Sequence, residues 1–165
     1  MGLIDFIKGA GEKLFGNDND DAAAIEDDAR EDAEAKAAVN ARRIDSLTRY
    51  VGRMDLGIQD LGITVDGDLV TVSGTAPSQE AREKTVLALG NTAGTARVDD
   101  RITVEVQEPE ATYHTVVSGE SLSKIAKTYY GNPMKYPEIF EANKPMLTDP
   151  DKIYPGQVLR IPPLT

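Results

Sequence analysis

The sequence contains no cysteine and only one histidine, His114. Without cysteine the chain can form neither disulfides nor thiolate metal sites, and it lacks a cysteine nucleophile. A lone histidine cannot build a histidine-rich metal centre, and His114 stands on a predicted strand with no serine and acid arranged around it. Phosphate-binding loops and nucleophile elbows are missing from the sequence as well. These absences predict a protein that is not an enzyme.

Long apolar runs are also missing. Asp5 and Lys8 interrupt the apolar residues at the start of the chain, which therefore do not resemble the apolar core of roughly 7–15 residues in a secretory signal. No stretch approaches the roughly 18 apolar residues of a membrane span. The acidic run that follows would be repelled by anionic lipid, so no membrane partner is expected. We therefore expect a cytoplasmic protein, a location that the absence of cysteine also fits.

The formal net charge of −10 is distributed unevenly along the chain. Residues 1–112 carry 23 acidic and 12 basic side chains, whereas residues 113–165 carry five acidic and six basic ones. This asymmetry indicates two units with different surfaces. Because an acidic chain repels phosphate backbones, no nucleic-acid partner is expected. The chain is predicted to be a monomer.

The first 35 residues divide into two segments. In residues 1–16, apolar side chains such as Leu3, Phe6 and Ile7 recur at helical spacing, while Gly9, Gly11 and Gly16 weaken an isolated helix. This amphipathic segment is predicted to dock on the folded unit that follows. Residues 17–35 are rich in Asp, Glu and Ala and are typical of a solvated linker that leads into a helix. A calcium loop is excluded there, because neither the turn glycine nor the distal glutamate of such a loop follows.

Residues 36–106 have the pattern of a compact α+β unit with the order αββαβ. Apolar residues at helical spacing lead to a stop at Gly52, and alternating residues predict a hairpin over 63–74. Ser78 is a natural cap for a second helix, and a last strand is predicted from Arg101.

Residues 107–112 have the composition of a linker, and residues 113–163 have the pattern of a βααβ unit. Its predicted elements are a strand over Tyr113–Val117, helices over Ser121–Tyr130 and Tyr136–Ala142, and a strand over Gln157–Ile161. The whole chain is therefore predicted to have an α+β fold of two small domains.

The C-terminal unit carries the most specific pattern of the chain. It reads Tyr113-His-Thr-Val-Val-Ser-Gly-Glu-Ser-Leu122, then Tyr130-Gly-Asn132, Ile139-Phe-Glu-Ala-Asn143 and Ile153-Tyr-Pro-Gly-Gln-Val-Leu-Arg-Ile-Pro162. This pattern resembles a LysM domain over nearly its whole length. The resemblance implies a shallow groove for polymers that contain N-acetylglucosamine, or for an unknown protein partner. The groove residues carried over to this sequence are Gly119, Glu120, Ser121, Leu122, Asn143, Pro145, Met146, Ile153 and Tyr154.

The N-terminal unit resembles a BON domain. The residues that carry this resemblance are Leu69-Val-Thr-Val-Ser-Gly74, the helix after them, and Val98-Asp-Asp100 before the last strand. Together with the opening Gly2-Leu-Ile-Asp-Phe-Ile-Lys8 and the order of the domains, the chain resembles bacterial cytoplasmic potassium-binding proteins built from BON and LysM. A non-enzymatic cation sensor is the function that this resemblance implies.

The resemblance also implies a potassium site made of backbone carbonyls. The carbonyls carried over are those of Ile7, Ala10, Gly90, Thr92, Gly94 and Thr95. Potassium is bound well by several neutral oxygens, whereas divalent ions recruit carboxylates. Rubidium or caesium are the candidate substitutes for potassium. Taken without the resemblance, the same glycine loops have the pattern of plain turns. Binding of the ion is expected to order the N-terminal segment, and glycan binding by the LysM groove is the alternative function.

Overall fold

The structure is a computed structural model that describes residues 2–6 and 29–164. The N-terminal unit consists of β1 (Gly2–Asp5), α1 (Ala29–Arg53), β2 (Gln59–Asp66), β3 (Leu69–Ala76), α2 (Gln79–Gly90) and β4 (Arg97–Val104). The C-terminal unit consists of β5 (Thr112–Thr115), α3 (Leu122–Tyr130), a 3₁₀ helix (Pro133–Lys135), α4 (Tyr136–Ala142) and β6 (Val158–Ile161). The predicted α+β fold with two units is confirmed. No described helix is long and apolar enough to cross a membrane.

The N-terminal sheet has the strand order β1-β4-β3-β2. Strands β2 and β3 form the predicted antiparallel hairpin around Gly67-Asp68. Strand β4 runs parallel to β3 over the whole length of both strands, because α2 carries the chain back between them. This full-length pairing explains why β4 begins at Arg97, four residues before the predicted start at Arg101.

The helical spacing at the start of the chain predicted a helix, and this prediction is wrong for residues 2–5, which form a strand. Strand β1 pairs antiparallel with the outer edge of β4, with Ile4 opposite Val98. Four residues cannot establish the hydrogen bonds of a helix, whereas a free strand edge offers partners to every second residue. The predicted αββαβ order is confirmed as α1-β2-β3-α2-β4, and β1 adds a strand ahead of it. Residues 7–28, with most of the predicted amphipathic and acidic segments, lie outside the described residues.

Helix α2 is buried on two sides. Nine of its 12 residues are buried, and polar Gln79, Glu83 and Thr85 are among them. The predicted cap is confirmed, since the Ser78 hydroxyl accepts the Ala81 N–H at 3.2 Å. One side of α2 packs on β3 and β4, and the helix also contacts β6 of the C-terminal unit. Helix α2 is therefore the element that joins the two units.

The C-terminal unit has the predicted βααβ order, with β5 and β6 antiparallel. Ser121 caps α3 by accepting the Lys124 N–H at 3.3 Å, and Gly131 ends the helix in the left-handed conformation with φ of 71°. All four residues of β6 are buried. In a two-stranded sheet only one face would normally be covered, so burial of all four residues indicates cover on both faces, and α2 and α4 are among the elements that contact β6.

Candidate functional site

The loop after α2 receives the N-terminal strand. The Phe6 N–H donates to the carbonyl oxygen of Ala96 at 2.6 Å, and the Phe6 side chain is buried. Its ring lies directly on Gly90, where a Cβ would overlap the ring carbons. Only glycine therefore fits at position 90 while Phe6 is docked. The start of the chain and the loop 91–96 are thereby held side by side.

The loop turns tightly and leaves main-chain oxygens available. The Thr92 N–H donates to Leu89 at 3.3 Å, and the Thr95 N–H donates to the Thr92 carbonyl at 3.3 Å. Gly94 has a φ of 79°, which a residue with a side chain rarely adopts. Of the four candidate carbonyls at Gly90, Thr92, Gly94 and Thr95, only that of Thr92 receives a backbone N–H from the part of the chain that the structure describes. A carbonyl oxygen has two lone pairs, so even this one can accept a second partner.

The threonine hydroxyls of the loop form a directed chain. Thr92 and Thr95 are buried, and their hydroxyl oxygens lie 3.0 Å apart. The Thr92 hydroxyl donates its hydrogen to the Leu89 carbonyl at 2.6 Å. Because a hydroxyl has one hydrogen, the Thr95 hydroxyl must be the donor to Thr92. The Arg43 Nη2 group in turn donates to Thr95 at 3.5 Å. The hydroxyls are therefore engaged within the protein.

Of the six predicted cation ligands, Gly90 ends α2, Thr92, Gly94 and Thr95 lie in the loop after it, and Ile7 and Ala10 lie outside the described residues. That their carbonyls bind a cation stays a prediction. Sequence reasoning gave Thr92 and Thr95 no role beyond their carbonyls and missed their hydroxyl chain. It also missed Arg43, because nothing in the sequence relates a residue of α1 to a loop 52 positions later.

Asn91 ties the loop to the C-terminal unit. Its amide nitrogen donates to the Val158 carbonyl at 2.8 Å, and its amide oxygen accepts the Val158 N–H at 2.8 Å. The same nitrogen lies 3.3 Å from the Met146 sulfur. Asn91 is 2% exposed, so these bonds replace water that the side chain has lost. The loop and β6 are consequently held as one unit.

A buried ion pair makes the second link between the units. Glu83 of α2 pairs with Arg160 of β6, and both side chains are at least nine-tenths buried. Glu83 also accepts the Gln79 side chain and the Ala111 N–H, each at 2.9 Å. The carboxylate therefore has three partners to replace its lost hydration.

Comparisons with known proteins agree with this architecture. A family model described as LysM domain matches residues 114–162, and one described as BON domain matches residues 21–106. Over 162 residues the sequence is 43% identical to the potassium binding protein Kbp of Escherichia coli O6:H1, which covers 98% of this chain and 99% of that protein. The chain belongs to the Kbp family. A second relative, an uncharacterized protein of Deinococcus radiodurans, is 53% identical over 51 residues, or 31% of this chain and 19% of that protein.

In this Kbp-family chain the predicted groove of the LysM unit has one open wall. Gly119 and Ser121 are exposed, while Leu122 is buried in the core of the unit. Glu120 is half-buried, and its carboxylate accepts the Val117 N–H at 2.9 Å. The turn 117–121 is therefore accessible and internally braced.

The opposite wall of the predicted groove is more buried. Asn143 is buried, and its amide bonds both the N–H and the carbonyl of Arg160, at 2.7 and 2.8 Å. Pro145 is exposed and Ile153 half-buried, but Met146 and Tyr154 are buried. The sequence prediction placed all of these residues around one ligand. The structure instead uses several of them for packing within and between the units.

Burial raises the pKa of the Tyr154 hydroxyl, and the nearby Tyr50 of α1 adds to the effect. The Tyr154 hydroxyl therefore lies near enough to Tyr50 of α1 for the two groups to interact electrostatically. The Tyr154 hydroxyl has no hydrogen-bond partner among the described residues.

His114 braces the open turn. Its Nε2 atom lies 2.8 Å from the Glu120 carboxylate, and its Nδ1 atom lies 3.1 Å from the Tyr129 hydroxyl. Burial disfavours the charged form of Glu120, but the Val117 N–H and His114 outweigh it and lower the pKa of this carboxyl. Within residues 2–6 and 29–164, no three His, Asp or Glu side chains are grouped to hold a metal ion.

Proposed function

We propose that this chain is a non-enzymatic potassium-binding protein whose ion lies between the N-terminal segment and the loop after α2. The observation that carries the proposal is the contact of Phe6 with Gly90, which holds the start of the chain against a carbonyl-rich loop. The 43% identity to the potassium binding protein Kbp over nearly the whole chain supports the same function. The proposed ligands are the carbonyls of Ile7, Ala10, Gly90, Thr92, Gly94 and Thr95.

The chemistry of the loop suits a monovalent ion. Potassium is large and weakly hydrated, and neutral carbonyl oxygens can replace its water shell. The loop 90–95 contains no carboxylate, which magnesium and calcium sites use. Glycines at positions 90 and 94 allow backbone conformations that other residues resist. Rubidium and caesium, which resemble potassium in charge and weak hydration, are the expected substitutes.

Binding is proposed to act as an ordering switch. If carbonyls of residues 7 and 10 share the ion with the loop, the ion adds to the docking that Phe6 and β1 already provide. Because a ligand that binds only the folded form stabilises it by mass action, potassium should raise the stability of the whole chain. Such a chain would report potassium concentration as a monomer, and we propose this sensing role in the cytoplasm with neither nucleic acid nor membrane as partner.

The test is a calorimetric titration of metal-free protein with potassium and with sodium at matched ionic strength. Heat with potassium and a weaker response with sodium are expected. Gly90→Ala should lower potassium affinity at least tenfold, because its methyl group displaces Phe6. Gly52→Ala is the matched control, since a Cβ there meets nothing within 4 Å. A wild-type protein without a potassium response, or a Gly90→Ala variant that binds like Gly52→Ala, would contradict the proposal.

Glycan binding by the LysM unit is the second candidate function. The exposed turn 117–121, with Val117 58% exposed, supports it, while the buried Met146 and Tyr154 leave only part of the predicted groove for a polymer. A titration with a chitin oligomer distinguishes the two functions. Oligomer binding that Val117→Asp abolishes, in a protein that ignores potassium, would favour the glycan.

A further inference from the structure

A guanidinium group lies beside the proposed cation loop. Helix α1 places Arg43 so that its Nη1 donates to the Gly67 carbonyl and its Nη2 donates to the Thr95 hydroxyl at 3.5 Å. The Nη2 atom also lies 3.6 Å from where a Cβ of Gly94 would stand. Arg43 thus contacts Thr95 and lies beside Gly94, two of the residues proposed as ligands, and it approaches them through its charged end.

The position of this charge is fixed. One contact joins it to the hairpin turn after β2, and the other joins it to the start of the hydroxyl chain Arg43 to Thr95 to Thr92. These two contacts hold the guanidinium between the hairpin turn and the loop. Burial lowers the pKa of Arg43 and nearby Asp68 opposes that shift. An arginine remains protonated under such conditions.

We propose that Arg43 is a specificity-determining residue that disfavours divalent cations at the monovalent site. This inference rests on the proposed potassium function. A fixed positive charge raises the energy of any bound cation in proportion to the charge of that cation. If Arg43 lowers the potassium affinity by a certain factor, it therefore lowers the calcium or magnesium affinity by the square of that factor.

Such a residue answers a need of this chain. The protein has a net charge of −10, and an acidic protein concentrates divalent ions near its surface. Neutral carbonyls alone also bind calcium, which accepts main-chain oxygens as ligands. A neighbouring arginine removes this competition at a smaller loss of potassium affinity. No ion geometry is needed for the argument, because the ratio of the two effects depends only on the ion charges.

The experiment compares wild type with Arg43→Gln and Arg43→Lys. Glutamine is polar but carries no charge, whereas lysine keeps the charge. We expect Arg43→Gln to bind potassium about three- to tenfold more tightly, and calcium more tightly by about the square of the measured factor. Arg43→Lys should restore the wild-type preference. Arg49→Gln is the matched control, because Arg49 is a 63% exposed arginine of the same helix and pairs with Asp45; it should change either affinity less than twofold.

A variant of opposite sign guards against loss of folding. Asp68 lies close enough to raise the pKa of Arg43, and its carboxylate is 3.8 Å from the Arg97 guanidinium. Asp68→Asn keeps the shape and the backbone bonds to Ala96 and Arg97, and it removes a negative charge. It should therefore weaken potassium binding, and weaken calcium binding by the square of that factor.

The outcomes separate the two proposals. If wild type binds no potassium, the proposed function fails and the role of Arg43 fails with it. If wild type binds potassium but Arg43→Gln does not bind it more tightly, only the inference on Arg43 fails. The charge argument would likewise be overturned if Arg43→Gln changed the potassium and calcium affinities by the same factor, or if it left the calcium affinity unchanged. A changed thermal stability with unchanged affinities would make Arg43 a purely structural residue.

Discussion

Asn91 uses every polar atom of its side chain at the boundary between the two units. Its amide pairs with both main-chain groups of Val158 and contacts Met146. The pairing imitates a strand, since one side chain satisfies the N–H and the carbonyl of one residue. Because Val158 is 3% exposed, water cannot replace the amide when it is removed.

We therefore expect Asn91→Ala to lower the free energy of unfolding by about 2–4 kcal/mol, since it leaves a buried N–H and a buried carbonyl without partners. Asn132→Ala is the control, because Asn132 is exposed and its side chain accepts the Met134 N–H at the start of the 3₁₀ helix. Its cost should stay near 1 kcal/mol or less. Urea unfolding followed by circular dichroism measures both. Equal costs for the two variants would show that the Asn91 contacts contribute little.

Thr95 provides a second test at the scale of a residue. Thr95→Val keeps the shape of the side chain but interrupts the hydroxyl chain between Arg43 and Thr92. We expect a loss of about 1–2 kcal/mol in unfolding free energy, because Thr95 is fully buried. Thr128→Val is the control, since the Thr128 hydroxyl is exposed and bonds its own helix at Lys124. Thermal unfolding without added salt measures both variants. An equal loss of stability in Thr95→Val and Thr128→Val would contradict the assigned chain of hydrogen bonds.

At the scale of elements, the predictions from sequence succeed where a pattern is long and fail where it is short. The hairpin, the Ser78 cap and the βααβ order of the C-terminal unit were predicted, because each has several residues at a fixed period or a specific turn. Strand β1 was not, since four residues fit the helix period and the strand period about equally well. Its conformation depends on the free edge of β4, which no local pattern reveals.

Helix α2 shows the same limit for the site. The apolar Val86, Leu87 and Leu89 predicted the helix, but the polar Glu83 gave no sign that it would be buried against β6. A carboxylate on a helix is usually solvated, and its charged partner here is an arginine 77 positions later. Four loop positions of the candidate site were named through a family resemblance. Arg43 and Asn91 were missed because their partners lie far away in the sequence.

The pair of Glu83 and Arg160 allows a prediction for the contact between α2 and β6. Arg160→Met should lower the unfolding free energy by about 3–5 kcal/mol, because Glu83 would keep a buried charge without its counter-ion. Glu83→Gln combined with Arg160→Met should recover much of that loss. The exposed pair Arg49 and Asp45 is the control, and Arg49→Met should cost less than about 1 kcal/mol. A double variant as unstable as Arg160→Met would mean that packing, rather than charge, holds the contact.

At the scale of the whole molecule, α2 and β6 join the two domains through buried contacts. Calorimetric heating should therefore give a single unfolding transition for wild type, with near-equal calorimetric and van't Hoff enthalpies. Asn91→Ala combined with Glu83→Ala removes both links and should separate the transition into two. Two transitions already in wild type would show that the units unfold independently.

The burial of both faces of β6 limits how this protein can be rebuilt from parts. A LysM unit is a natural choice for domain swapping by protein engineering, because the two ends of its short βααβ motif lie close together. In this chain a LysM unit from another protein would need a basic side chain at the position of Arg160, to pair with Glu83. At the position of Val158 it would need a main-chain N–H and carbonyl free to bond Asn91. Without them, Glu83 and Asn91 would face an apolar surface. A chimera made by joining domains at the linker 107–112 would thus have a mismatched contact between α2 and β6. A stable chimera would have to take α2 and β6 from the same protein.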